Sequence, residues 1–148
     1  MTSRVRALVC LVVVAYLYCG LPNRLSLTDP DEVFYSQTAK EMTQQGSLVT
    51  PIIFGHPQYE KPPLFYWLLM AAFELDGVTR TAARSVPALC GLFGVIATFL
   101  FCRRVFNARI AWLAAILLAT SAIYLVLSMA VLTDIALSMF MMVAFYCF

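Results

Sequence analysis

Apolar residues along this chain fall in long runs, and most polar residues lie in the gaps between them. The runs cover about 5–21, 82–101, 110–127 and 131–148. Each is near the ~20 residues that a helix needs to cross a hydrocarbon core. A shorter run, 64–75, begins after Pro62-Pro63 and stops at Asp76-Gly77, a helix-ending pattern. It is too short to cross and reads as an interfacial or re-entrant helix. The pattern predicts an all-α polytopic membrane protein with about four transmembrane helices, plus external interfacial helices in the loop 22–81.

Within that loop the signals are local. Thr28-Asp29-Pro30 predicts a helix start, with Asp29 as cap and Pro30 in the first turn. The helix should run to about Gln45 and stop at Gly46. Tyr35, Ala39 and Met42 recur at helical spacing, opposite Gln37, Lys40, Glu41 and Gln44. This is the pattern of an amphipathic helix lying on a bilayer surface. Pro51 and Gly55 interrupt the β-branched stretch after it, which reads as extended chain or loop. Tyr66 and Trp67 read as interface aromatics.

Composition agrees with the pattern. The chain is 62% hydrophobic and 12% charged, against roughly 25% charged for an ordinary soluble domain. With 148 residues it cannot hide that much apolar surface from water. A net charge of +2, with no basic run interleaved with aromatics, argues against nucleic acid as a partner. Cys10, Cys19, Cys90, Cys102 and Cys147 form no CxxC pair and lie in or beside apolar runs, so they read as small hydrophobes.

Basic residues set the expected orientation. Arg4 and Arg6 precede the first run, and Arg103, Arg104 and Arg109 fill the link between the second and third. A basic start before an apolar core could be a cleavable signal peptide. Tyr16-Leu17-Tyr18 stand before Cys19, however, where a processing site wants small residues, so the first run reads as an uncleaved signal anchor. Placing both basic groups in the cytoplasm puts the loop 22–81 outside the cytoplasmic membrane. Arg24, Lys40, Lys61, Arg80 and Arg84 lie in or beside that loop, but acids dilute them there. The tight link 128–134 then lies outside as well, so Asp134 shares a face with Asp31 and Glu32. Because no polar residue follows the fourth run before Phe148, a truncated reading frame is expected.

Carboxylates at a bilayer surface are costly without a role, so Asp29-Pro30-Asp31-Glu32 and Tyr59-Glu60-Lys61-Pro62-Pro63 are the places to seek chemistry. Asp31 could serve as a general base, whereas Glu32 is explained by the positive end of its helix. Lys61, just ahead of a helix start, could bind a phosphate or anchor at the interface. Asp134 could cap its helix or join Asp31 in a site. His56, alone, makes a poor metal ligand.

Four segments together resemble the N-terminal part of the C-type membrane glycosyltransferases. They are Asp31-Glu32-Val33-Phe34-Tyr35 with Ala39-Lys40-Glu41-Met42, Tyr59-Glu60-Lys61-Pro62-Pro63-Leu64-Phe65-Tyr66-Trp67, Ala82-Ala83-Arg84-Ser85-Val86-Pro87-Ala88-Leu89, and Leu132-Thr133-Asp134. The similarity is to the bacterial branch of the dolichyl-phosphate-mannose protein mannosyltransferase family, which includes the aminoarabinose transferase of lipid A.

The resemblance implies sugar transfer from a polyprenyl-phosphate donor to a lipid, glycan or protein acceptor at the external face of the cytoplasmic membrane. It maps Asp31 onto the acid that receives or orients the acceptor, Lys61 onto the donor-phosphate contact, and Asp134 onto a second external acid. Glu32, Tyr35 and Glu60 become supporting residues. Glu60 also matches a residue that in some relatives helps bind a divalent metal, with a histidine partner expected beyond Phe148. One departure is Phe34, where relatives often carry an arginine, so a phosphate-type acceptor loses a cationic contact here. The alternative is a non-catalytic multi-pass protein: an inactive fragment, a split subunit or part of a transporter.

Overall fold

The computed structural model describes residues 30–148. The first apolar run, Arg4, Arg6, the cap expected at Asp29, Cys10 and Cys19 all lie outside the described residues. Those described form six helices and one minimal ribbon: α1 (Pro30–Gln45), β1 (Ile52–Ile53), β2 (His56–Pro57), α2 (Leu64–Asp76), α3 (Arg80–Val105), α4 (Ala108–Ala119), α5 (Ala122–Met129) and α6 (Thr133–Cys147).

Pro30 opens α1, where its missing N–H costs nothing. Gly46, at φ 65, closes it, with the Ser47 N–H returning to the Met42 carbonyl at 3.1 Å. The expected stripe of Tyr35, Ala39 and Met42 is buried. Its cover is protein, which corrects the expectation of a helix resting that face on the bilayer. The Tyr35 ring meets Phe65 edge-on at 5.5 Å and tilts against Tyr66 at 5.9 Å. Helix α2 is apolar on nearly every side, and its Phe65, Tyr66, Leu69 and Phe73 fill the same core as the stripe. Tyr66 is therefore a fully buried core residue and not an interface aromatic. Trp67 is 44% exposed and donates its indole N–H to the Leu48 carbonyl at 2.6 Å, tying α2 to the loop after α1.

The loop itself carries a tight antiparallel ribbon pairing Ile52 with Pro57 and Ile53 with His56. Both turn residues are left-handed, Phe54 at φ 50 and Gly55 at φ 77. Two-residue hairpins favour that geometry, but phenylalanine does not. The strain is held by Glu41, whose carboxylate accepts both turn N–H groups, from Phe54 at 3.0 Å and from Gly55 at 3.1 Å.

Helix α3 is the spine. Thr79 caps it by accepting the Ala82 N–H at 3.1 Å. Arg103 and Arg104 sit in its last turn, where cations suit the negative helix end. Its 26 residues make a rod of about 39 Å. It is the one described helix long and apolar enough by itself to cross a membrane. The run 110–127, expected as one crossing, is two helices, α4 and α5, bent by 60° at Thr120-Ser121. Thr120 turns its hydroxyl back to the Ile116 carbonyl at 2.8 Å, and Ser121 leaves the helical region at ψ 125. Such back-bonding hydroxyls bend helices. Helix α6, with 15 residues, is shorter than the run 131–148 from which it comes.

End contacts give the path. Near the start of α3, Arg84 lies beside the residues that precede α6; near its end, the Arg104 guanidinium donates to the Tyr146 carbonyl at 2.9 Å. So α3 and α6 run parallel, and the bent α4–α5 pair carries the chain back between them. Arg84 and Arg104 are separated by twenty residues of helix, about 30 Å, the depth of a hydrocarbon core.

The pair packs on α3 through small residues. Tyr124 donates its hydroxyl to the Gly91 carbonyl at 3.0 Å, and a methyl group added at Gly94 would run into that same hydroxyl. Alanine is the better helix former by about 1 kcal/mol. Overpacking typically costs about 1–3 kcal/mol, and here it also displaces a buried hydroxyl from its acceptor. Gly94→Ala is accordingly expected to lower the thermal midpoint of the detergent-solubilised protein. An unchanged or raised midpoint would show that this contact is loose.

Candidate active site

The first two turns of α1 place three candidate side chains in different environments. Asp31 is exposed, Glu32 is 3% exposed and Tyr35 is 4% exposed. Glu32 points into the protein. Its Oε1 accepts the Val131 backbone N–H at 2.9 Å, and Arg84 Nη2 lies 3.4 and 3.3 Å from its two oxygens. Both members of this ion pair are only 4% exposed along their side chains. A buried charge needs a partner of this kind to remain ionised.

Glu32 is therefore far more than a complement to the helix end. It joins α1, α3 and the link before α6 at one buried point. The sequence carried a signal for this. Arg84 stands near the start of an otherwise apolar stretch, and a cation there requires an acid. Counting Arg84 among the loop cations hid the pairing.

That junction brings the two candidate acids to the same end of the molecule. Asp31 precedes Glu32 by one residue, and Asp134 follows Val131 by three, in the first turn of α6. Both acids are exposed. A second tie lies beside the first: the Tyr35 hydroxyl is 3.5 Å from Thr133 Oγ1. Phe34 spends its side chain on packing, edge-on to Tyr35 at 5.6 Å.

Glu60 and Lys61 are exposed in the segment that leads into α2. The Tyr66 hydroxyl is pushed up to about 12, chiefly by burial, then by Tyr35, with a smaller contribution from the charge of Glu60. Glu60 is thus within electrostatic reach of Tyr66, which packs on Tyr35. Glu41 is held below its ordinary carboxylate range by the hydrogen bond from Gln37, then by the Gly55 and Phe54 N–H groups. That identifies it as the anchor of the hairpin, a role the residue pattern did not suggest.

Among the described residues no group of three or more His, Cys, Asp or Glu side chains could hold a metal. The residues present do not by themselves fit the divalent ion that the resemblance suggested at Glu60, and His56 is an exposed strand residue. An open groove of about 380 Å³ is lined by Leu48, Trp67, Met70, Ala71 and Glu74. None of Asp31, Lys61 or Asp134 lines it. Cys90, Cys102 and Cys147 are free thiols; Cys90 is buried as a small hydrophobe would be, Cys102 is half-buried and Cys147 is exposed.

Known proteins share this frame. Residues 3–148 match the family described as dolichyl-phosphate-mannose-protein mannosyltransferase. The chain is 31% identical over 119 residues to an uncharacterized protein of Aquifex aeolicus, covering 80% of this chain and 24% of that one. It is 30% identical over 119 residues to the undecaprenyl phosphate-alpha-4-amino-4-deoxy-L-arabinose arabinosyl transferase of Pectobacterium carotovorum, covering 80% of this chain and 21% of the relative. Its fold superposes on the crystal structure of ArnT from Cupriavidus metallidurans bound to undecaprenyl phosphate with a TM-score of 0.91. The identity there is 26%, over 95% of this chain and 26% of that one. The chain thus spans about a quarter of the length of these relatives. A match that runs from Ser3 to Phe148, together with a helical frame common to a solved relative, means that the chain belongs to the dolichyl-phosphate-mannose-protein mannosyltransferase family.

Proposed function

We propose that this chain forms the N-terminal part of a glycosyltransferase that moves a sugar from a polyprenyl-phosphate donor to a lipid, glycan or protein acceptor. The site faces the outside of the cytoplasmic membrane. The supporting observation is the junction that puts Asp31 and Asp134 at one end of α1 and α6, through Glu32 on Val131 and Tyr35 beside Thr133. In this reading the run 5–21 is the first crossing, with its N-terminus in the cytoplasm. The loop 22–81 with α1 and α2 is the external part, and α3, the α4–α5 pair and α6 are the remaining crossings.

The chemistry follows from the donor. A polyprenyl chain is hydrocarbon, so its phosphate sits at headgroup depth, where the exposed ends of these helices stand. The acceptor oxygen attacks the anomeric carbon as the bond from that carbon to the phosphate oxygen breaks. The electron pair leaves with the polyprenyl phosphate, and the acceptor proton passes to Asp31. A single displacement inverts the sugar carbon. Asp134 orients the acceptor, and Lys61 meets the phosphate as its charge grows. Holding the reactants in line and neutralising the leaving group supply most of the rate.

Lys61→Met tests the phosphate contact. A hydrogen bond to a charged group contributes about 1.5–3 kcal/mol, so kcat/KM for the donor should fall by about 10- to 100-fold. A tritiated polyprenyl-phosphate sugar offered to membranes containing the whole protein reads this directly. An unchanged kcat/KM would remove Lys61 from the donor site.

A further inference from the structure

We infer that Glu32 is a positioning residue: by holding the Val131 N–H, its buried carboxylate sets where Asp134 stands relative to Asp31. The inference rests on the proposed function, in which both acids serve one site.

The backbone between α5 and α6 shows why one side chain can have this influence. Ala130 (φ −94, ψ 140) and Leu132 (φ −126, ψ 152) are extended, so the link has left one helix and not yet entered the next. The Ala130 N–H returns to Val126, and the Leu132 N–H reaches the Ala130 carbonyl at 2.8 Å. The Val131 N–H between them goes to Glu32. Val131 is fully buried, and a buried N–H must find an acceptor. At 2.9 Å this contact is also tighter than either approach of Arg84 to the same carboxylate. Arg84 neutralises Glu32, and Glu32 locates the link. Glu32 is itself too buried to meet an acceptor or a donor sugar, so its effect on transfer passes through the two acids that flank the junction.

Val131→Pro removes the N–H and leaves both charges in place. The extended conformation of Ala130 is the one a residue before proline prefers. Misplacing a reacting group by an ångström can lower a rate by about 10²-fold. In the whole protein, supplied with a polyprenyl-phosphate sugar, kcat should fall by about that factor while the donor KM stays unchanged. A folded Val131→Pro protein with the parent kcat would overturn the inference. Where Val131→Pro does not accumulate in membranes, Glu32→Gln and Glu32→Leu are compared per folded molecule. Gln keeps an oxygen for the Val131 N–H and should retain much more of kcat than Leu; equal values overturn the inference. Asp31→Asn and Asp134→Asn separate the two claims. If both remain active, the proposed site itself fails. If both are inactive while Val131→Pro is normal, only the positioning role fails.

Discussion

Asp31→Asn is expected to reduce sugar transfer by about 10³-fold, within the range that a positioned general base contributes, while insertion into the membrane is unchanged. The substitution is nearly isosteric and sits on an exposed position in the first turn of α1. It disturbs neither the buried stripe of Tyr35, Ala39 and Met42 nor the Glu32–Arg84 pair. An amide cannot take up the proton of the acceptor. The deficit should therefore lie in kcat, with the donor KM close to that of the parent. Transfer measured with the whole protein in membranes, normalised to the amount inserted, checks this. Retained activity would show that another group takes the proton.

Arg84→Met is expected to have the largest effect on stability. It takes the cation away from a buried carboxylate whose remaining partner, among the described residues, is the Val131 N–H. Removing one member of a buried ion pair costs about 3–5 kcal/mol. Replacing both members, as in Glu32→Leu/Arg84→Met, removes the stranded charge and should recover much of that loss. The Val131 N–H remains orphaned in the double variant, so recovery should be incomplete and transfer should stay low. Thermal midpoints of the parent, Arg84→Met and the double variant in detergent decide the matter. A double variant no more stable than Arg84→Met would show that charge burial is not what the pair manages.

Much of this frame was legible from residue pattern. Pro30 and Gly46 bound α1, Gly77 follows α2, and the apolar run after Thr79 is the long helix α3. What could not be read was how faces are shared. A stripe of Tyr35, Ala39 and Met42 looks the same whether lipid or protein covers it, and only the packing of α2 shows that protein does. The bend at Thr120-Ser121 was hidden because both residues are tolerated in apolar helices; it shows only in the Thr120 hydroxyl bond to Ile116 and in the extended backbone of Ser121.

The site was legible in the same uneven way. Asp31 and Asp134 could be placed on one side by counting crossings, because charge and run length carry that information. Glu32 was assigned to its own helix end, the local explanation available to any acid in a first turn. Its actual partners, Arg84 and Val131, are 52 and 99 residues away in sequence. Glu41 was hidden for the same reason, since its bonds to Phe54 and Gly55 depend on a turn that a phenylalanine does not announce.

The most direct test is to follow a labelled polyprenyl-phosphate sugar in membranes from cells that carry the intact gene and from cells in which it is deleted. The expected result is sugar transfer to an envelope acceptor, with release of polyprenyl phosphate, in the first membranes and its loss in the second. Restoring the gene should restore transfer, and restoring it with Asp31→Asn should not. Equal transfer with and without the gene would contradict the assignment of this chain to a polyprenyl-phosphate-dependent glycosyltransferase.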